Sequence, residues 1–307
     1  MTISSFSISS VERDTGLSKD VLRVWERRYG FPLPIRDASG ERSYSVDQVE
    51  RLRLIKRLID KGHRPGKLIS LPIESLKNVA PRIPIAPQDA NSSDVLEIDA
   101  LFDLIKHHST IGYKHLMQRH LARLGLQRFV RDIVAPLTVR IGQAWENGHL
   151  DIFEEHLFAE LTIRFMRMTI DTLPGGNCSP KVLITTLPGE QHSLGLLMAE
   201  SILALEGAEC ISLGIQLPLL EIVHAASNQQ VDIVALSFST AFPHRQIPDL
   251  LKELRRLLKP EISLWAGGGG IAKLVKMDEI LFIPSLDSIA GSLTEWRALH
   301  SDKTVLG

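Results

Sequence analysis

The sequence predicts a multidomain chain of α and α/β class: an N-terminal winged helix-turn-helix, a four-helix bundle, and a C-terminal doubly wound parallel sheet. Three observations carry this reading. A proline-dense stretch separates a basic head from the rest, the middle places apolar residues at helical spacing, and the last third alternates short apolar runs with amphipathic ones. With 307 residues, 44% of them hydrophobic and 23% charged, the chain has apolar side chains for more than one core.

Pro72, Pro81, Pro84 and Pro87, followed by Asn91-Ser92-Ser93, fall between Leu71 and Asp94 with little apolar periodicity. Proline at that density blocks a continuous helix and marks a semi-rigid tether. The expected domains are 1–77 for the head, 78–95 for the linker, 96–174 for the bundle and 175–307 for the sheet. Residues 1–80 hold 15 Lys/Arg against 10 Asp/Glu, which leaves 20 against 26 for the remainder. A basic head on an acidic body points to a polyanionic partner for the head. No apolar run reaches the ~18 residues of a membrane span, and Met1–Ser10 lacks a signal-peptide layout. Cys178 and Cys210 are too few for a disulfide framework or a Cys-rich metal site. A cytoplasmic protein without membrane contact is expected.

In the head, Phe6, Ile8, Val11 and Leu17 surround a first short helix that ends at Gly16. Ser18-Lys19-Asp20 caps a second, Val21–Tyr29, rich in Arg23, Arg27 and Arg28. The following Phe31–Tyr44 reads as a hairpin wing with a turn at Gly40 and arginines on both sides. On charge alone, Arg27, Arg28, Arg51, Arg53, Lys56 and Arg57 could equally form a solvated face. The order of cap, helix, turn and wing favours a DNA reader. The stretch Val24-Trp25-Glu26-Arg27-Arg28-Tyr29-Gly30, with Arg36 and Gly40-x-Arg42-x-Tyr44, resembles the winged-helix head of the MerR family. That resemblance implies double-stranded operator DNA as partner. It assigns Lys19, Arg23, Arg27, Arg28 and Tyr29 to the groove-entering helix region, and Arg36, Arg42 and Tyr44 to the wing. MerR relatives usually continue into a long pairing helix, whereas this chain meets its prolines soon after Lys67-Leu68-Ile69. Any oligomer should therefore be organised by the body.

The middle segment gives four helices, Ile98–His108, Gly112–Leu124, Gln127–Asn147 and Asp151–Thr172, with Pro136 expected to bend the third. Short connections at Gly125 and Gly148 favour antiparallel packing. His107, His108, His115 and His120 do not share one helix face and read as surface residues. In the last third, strands are expected at Val182–Thr186, Cys210–Gly214, Asp232–Leu236, Ile262–Trp265 and Leu281–Ile283. Helices fall at Ser193–Glu206, Leu219–Asn228, Ile247–Leu258, Ile271–Lys276 and Leu293–His300. Right-handed crossovers turn this alternation into a flavodoxin-like sheet, whose ligands sit beyond the C-terminal strand ends.

The first strand–helix loop there reads Leu187-Pro188-Gly189-Glu190-Gln191-His192-Ser193-Leu194-Gly195. It puts an imidazole, a good transition-metal ligand, at the ligand-bearing edge, where its second nitrogen wants an orienting carboxylate or carbonyl. A lone loop histidine is more often an ordinary surface residue, but Glu-x-His-x-x-Gly after the first strand resembles the cobalamin-binding module of methionine synthases and mutases. That resemblance makes His192 the lower axial cobalt ligand. It adds Glu190, Gly195, Ser237 of Ser237-Phe238-Ser239, and Gly267 and Gly268 of a four-glycine run as cofactor-binding residues. Where the family has leucine after that serine, this chain has Ser239. The glycine run lacks the Lys-Ser/Thr of a phosphate-binding P-loop.

Glu155 and His156 follow Trp145 by ten and eleven residues, across the Gly148 turn. Read blandly, they are a core Trp and a surface pair. In this context they resemble the cap over the upper face of cobalamin in light-dependent MerR repressors of carotenoid genes. The resemblance implies adenosylcobalamin held between Trp145, Glu155, His156 and His192, a holo homotetramer, and release of DNA in light or without cofactor. In those photoreceptors a cobalt-ligating His follows the cap Trp; here Glu146 stands in its place. Two other readings stay open: a regulator that uses no cobalamin or binds another tetrapyrrole, and a corrinoid carrier for methyl transfer.

Overall fold

The computed structural model describes residues 5–36, 40–60, 63–78, 92–173 and 178–300. The chain divides into two compact units, one comprising Met1–Pro87 with Gly142–Asp151 and the other Gln88–Ile141 with Ile152–Gly307.

The head begins with strand β1 (Ser5–Ser7) and helices α1 (Ile8–Thr15) and α2 (Lys19–Tyr29). Ser7 and Ser18 cap the two helices, their hydroxyls accepting from the N–H groups of Ser10 and Val21 at 3.2 and 3.3 Å. Gly16 and Gly30, at φ +69° and +67°, end them in the left-handed conformation that glycine adopts without penalty. The wing strands β2 (Ile35–Arg36) and β3 (Arg42–Ser45) pair antiparallel. Strand β1, unexpected from sequence, adds a third with Phe6 opposite Tyr44, giving the order β1-β3-β2. The wing tip, 37–39, lies outside the described residues.

Helix α3 (Val46–Asp60) then packs Val49, Leu52, Ile55 and Leu58 onto Leu22 and Trp25 of α2. Two short helices, α4 (Pro65–Leu68) and α5 (Ile73–Asn78), close the head. The proline-dense stretch begins at Leu71, and Leu76 within it is buried in the head core, inside the expected head of 1–77. The head therefore extends to the end of α5, and the rest of the expected linker up to residue 91 lies outside the described residues. Arg51 holds this closing segment. Its guanidinium donates to the carbonyls of Ile69 and Leu71 at 2.8 and 2.9 Å and stacks over Phe31 at 4.3 Å.

In the second unit, α6 (Ser92–Lys106), α7 (Thr110–Leu124) and α10 (Ile152–Asp171) pack around Tyr113, Met117, Phe158 and Met166. The third expected helix is composite: α8 (Leu126–Phe129), a π turn (Val130–Val134) and α9 (Ala135–Glu146). Pro136 explains the break. It lacks an N–H and its ring crowds the carbonyl four residues earlier, and a wider turn relieves both. One sequence reading is corrected here: His120 is buried against Glu97 (3.3 Å) rather than exposed, while His107, His108 and His115 do lie at the surface.

The sheet strands are β4 (Cys178–Thr185), β5 (Ala208–Ser212), β6 (Ile233–Ser237), β7 (Ser263–Gly267) and β8 (Ile280–Ile283), all parallel, in the order β5-β4-β6-β7-β8. This is the expected doubly wound sheet, with its topological switch between β4 and β6. Helices α12 (Leu219–Asn228) and α13 (Ile247–Leu257) cover one face through Ile222, Ala226, Leu251 and Leu254. Helices α11 (Leu194–Leu205) and α14 (Ser288–His300) cover the other. Helix α11 is apolar nearly all round because α10 packs on its outer side. The helix expected at Ile271–Lys276 is absent; a single 3-10 turn, Gly269–Ile271, stands in its place. The glycines that would start it lie flat on the backbone of Phe238 and Ser239, and β8 follows too soon for a helix. Among the described residues no helix is long and apolar enough to cross a membrane.

Replacing Arg51 with Ala removes two charge-assisted bonds to the Ile69 and Leu71 carbonyls. The head should lose about 1.5–3 kcal/mol of stability, seen as faster amide exchange through α4 and α5.

Candidate functional site

Helix α2 is cleanly two-sided. Leu22 and Trp25 are buried in the head core, while Arg23, Arg27 and Arg28 project into solvent from the other side. Arg23 pairs with Asp20 at 3.2 Å, and Arg28 lies 5.3 Å over the half-buried Tyr29 ring. On the wing, Arg36 is exposed and donates to the Gly40 carbonyl at 2.8 Å. Lys19 and Arg42 are more committed. The Lys19 ammonium is 3.7 Å from Glu12, and Arg42 Nε donates to Glu26 at 2.7 Å, which raises the guanidinium pKa. Arg42 therefore clamps the wing to α2. Tyr44 is corrected outright. It has no exposed surface, and its hydroxyl is buried without a hydrogen-bond partner, so it belongs to the core beneath the wing.

The second site lies at the C-terminal edge of the large sheet, at the switch between β4 and β6. Glu190 is buried, with 1% of its surface exposed. Its Oε1 accepts from His192 Nδ1 at 2.7 Å and from the His192 backbone N–H at 2.9 Å. Its Oε2 accepts from the Ser239 N–H at 2.7 Å, so one carboxylate ties the loop after β4 to the loop after β6. Burial disfavours its charge, but these donors overcome that and hold the carboxyl below its ordinary range. The Glu190 hydrogen bond raises the His192 pKa above 6.5 against the opposing effect of burial, and the charge of Glu155 on α10 adds to the rise. With Nδ1 engaged, Nε2 is the ring nitrogen left to bind a ligand.

Thr186 braces the loop from below. Its hydroxyl donates to the Glu190 carbonyl at 3.0 Å and accepts from the Gln216 N–H at 2.9 Å. Ser239 and Thr186 were not among the sequence candidates. The Ser239 hydroxyl also lies 3.1 Å from His192 Nδ1, and the one sequence signal for it was its departure from the expected leucine. Gly195 sits on α11, where a Cβ would come within 3.0 Å of the Ser237 hydroxyl. Gly268 takes φ +89° with a virtual Cβ 2.4 Å from the Phe238 carbonyl oxygen, and Gly267 adjoins Ile283. Close backbone approach thus accounts for glycine at 268.

Glu155, half-buried, and His156, exposed, occupy the first turns of α10 in the same unit. Trp145, half-buried near the end of α9, falls on the segment Gly142–Asp151 that belongs to the other compact unit. Among the described residues no group of three or more His, Cys, Asp or Glu side chains could hold a metal ion. A cobalt held by His192 would need its other donors from a macrocycle. A carboxylate-oriented imidazole is a chemically suitable axial donor for such an ion.

Comparison with known proteins matches three regions. Residues 6–69 fit the MerR HTH family regulatory protein model, and 97–169 and 180–278 fit two B12 binding domain models. Over these segments the chain is similar to MerR helix-turn-helix regulators in its head and to B12 binding domains in its body. It is 28% identical to the HTH-type transcriptional repressor CarH of Myxococcus xanthus, over 86% of this chain and 89% of that protein. To the repressor CarA of the same organism it is 27% identical, over 88% of each. In structure, the monomethylamine corrinoid protein of Methanosarcina barkeri superposes with a TM-score of 0.53 at 16% identity. It covers 66% of this chain and 99% of its own length, which shows a shared fold.

Tyr44→Phe should leave DNA affinity unchanged and raise thermal stability, because it removes a buried hydroxyl that costs about 1–3 kcal/mol unpaired; a loss of affinity would return Tyr44 to the DNA surface. Glu190→Gln should bring the His192 pKa down toward 6.5, read by NMR titration of the imidazole. The His192 contribution to stability is full below 6.5 and fades as pH rises through the folded pKa. The Glu190 contribution is full above 4.5 and fades as pH falls. Urea denaturation across that range should show the variant losing most stability between those limits.

Proposed function

We propose that this protein is a transcriptional repressor of the cytoplasm whose grip on double-stranded operator DNA is controlled by adenosylcobalamin and by light. The observation that carries the reading is the Glu190–His192 pair. A buried carboxylate aims an imidazole outward at the switch point of a sheet that shares one chain with a winged-helix head.

His192 is assigned as the lower cobalt ligand, with Glu190 accepting its Nδ1–H so that the Nε2 lone pair stays available. Ser239 and Thr186 hold Glu190 in place. Gly195 leaves room beside Ser237 at the start of α11, where a nucleotide tail would pass. Glu155 and His156, in the first turns of α10, would line the same cofactor. Trp145 joins them through its spacing in the sequence. Bound adenosylcobalamin supplies a cobalt–carbon bond that visible light breaks. The cap residues set how that state is read, and Glu146 offers no imidazole at the position after Trp145.

On this reading holo protein forms a tetramer in the dark, so several heads engage neighbouring sites at once. Linking heads strengthens binding by about 10²–10⁴ without any new contact. Light or cofactor loss separates the heads and releases DNA.

Size-exclusion chromatography with absorption detection tests this. Protein loaded with adenosylcobalamin in the dark should elute as a coloured tetramer and become smaller after green light. His192→Ala should lose the spectral signature of nitrogen ligation and weaken cofactor retention at least tenfold. A coloured species whose size ignores light would remove the photoreceptor element, and the absence of comigrating colour would overturn the cobalamin switch.

A further inference from the structure

The acidic body carries one strongly basic groove that neither the head nor the cobalamin site uses. It is an open depression of about 680 Å³ between the end of α13 and the loop that leads from the glycine run into β8. Lys252 and Arg256, one helical turn apart on α13, form one wall; Lys273 and Lys276 of the loop form the other. All four are exposed, and among the described residues no ion pair engages any of them. Asp278 is the carboxylate on its lining. Leu274 and Met277 pack into the core beneath it, and Val275 at the rim is 85% exposed.

The α13 wall of the groove is anchored. Arg255 donates to the carbonyls of Ile262 and Leu258 at 2.6 and 3.2 Å, which ties the end of α13 to the approach of β7. The groove runs along α13 from Pro248 in its first turn to Arg256 near its end, and along the loop from Lys273 to the start of β8.

Residues 245–279 hold seven Lys/Arg and five Asp/Glu inside a body with an overall acidic excess. That local reversal of sign, made of exposed and largely lysine side chains along two walls, suits a polymer of phosphates. A small anion would call for a desolvated, bidentate cage instead. We infer that this groove is a second, sequence-independent contact for the phosphate backbone of duplex DNA. It rests on the reading of the head as a DNA binder. Once the head is bound, DNA phosphates are present near the body at high local concentration, and modest charge interactions then add to binding.

The experiment uses the full chain and a fluorescein-labelled 60-bp duplex of mixed sequence, with anisotropy titrations between 50 and 200 mM KCl. The neutralised variant is K252Q/R256Q/K273Q/K276Q, and R27Q/R28Q serves as the head variant. The slope of log affinity against log salt should become shallower by about 3–4 in the first, near 0.9 for each phosphate that is no longer neutralised, with an unchanged melting curve. An unchanged slope in the groove variant, alongside a shallower one in the head variant, overturns the groove and leaves the head reading intact. A chain that binds the duplex in neither its native nor its variant forms overturns both. A groove variant that keeps its salt slope but elutes at a different size assigns the surface to a second copy of the chain, and likewise overturns the proposal.

Discussion

A buried carboxylate must find donors or lose its charge, and Glu190 finds them in two loops that are 49 positions apart in sequence. Its first oxygen takes two bonds from His192, and its second takes one from the Ser239 backbone. The consequence is geometric. The loops after β4 and β6 diverge at the switch point, and the carboxylate fixes their separation as well as the pose of the imidazole. The Thr186 hydroxyl, bonded to the Glu190 carbonyl and the Gln216 N–H, extends the same network to the loop after β5. Three of the loops at the ligand-bearing edge are thus positioned through one charged group and its neighbours.

Much of this arrangement is legible in the sequence, because strands, glycine turns and the Glu-x-His-x-x-Gly loop are local signals. The alternation of apolar runs gives the five strands, and the cap residue Ser18 marks the start of α2. What escapes the sequence is set by partners distant along the chain. Ser239 contributes through its main-chain N–H, which carries no residue code. Tyr44 resembles a wing contact until the third strand, β1, is seen to place Phe6 opposite it. His120 looks like its exposed neighbours until Glu97 is found beside it. The helix expected after Gly270 fails because those glycines serve a backbone contact with Phe238 and Ser239, and that contact leaves no periodic trace.

The same distinction applies to charge. Counting Lys and Arg marks the head as basic, but the structure divides those cations by task. Arg51 binds main-chain carbonyls, Arg42 and Lys19 face Glu26 and Glu12, and Arg53 pairs with Asp14 at 2.6 Å. Arg27, Arg28 and Arg36 are left facing solvent. Formal charge therefore overstates the number of groups ready to meet phosphate, and the clamped ones give the rest their positions. In the body the bias runs the other way, since an acidic total conceals a cationic groove.

Helix α11 has a further consequence. One side lies on the sheet and the other beneath α10, so its leucines and Met198 are shared by two layers. Each large apolar side chain uncovered costs about 1.5–3 kcal/mol. Prising the bundle from the sheet would uncover several at once, comparable with the whole stability of a domain. These two layers consequently behave as one mechanical part, so a change at the strand edge would move bundle and sheet together rather than one against the other.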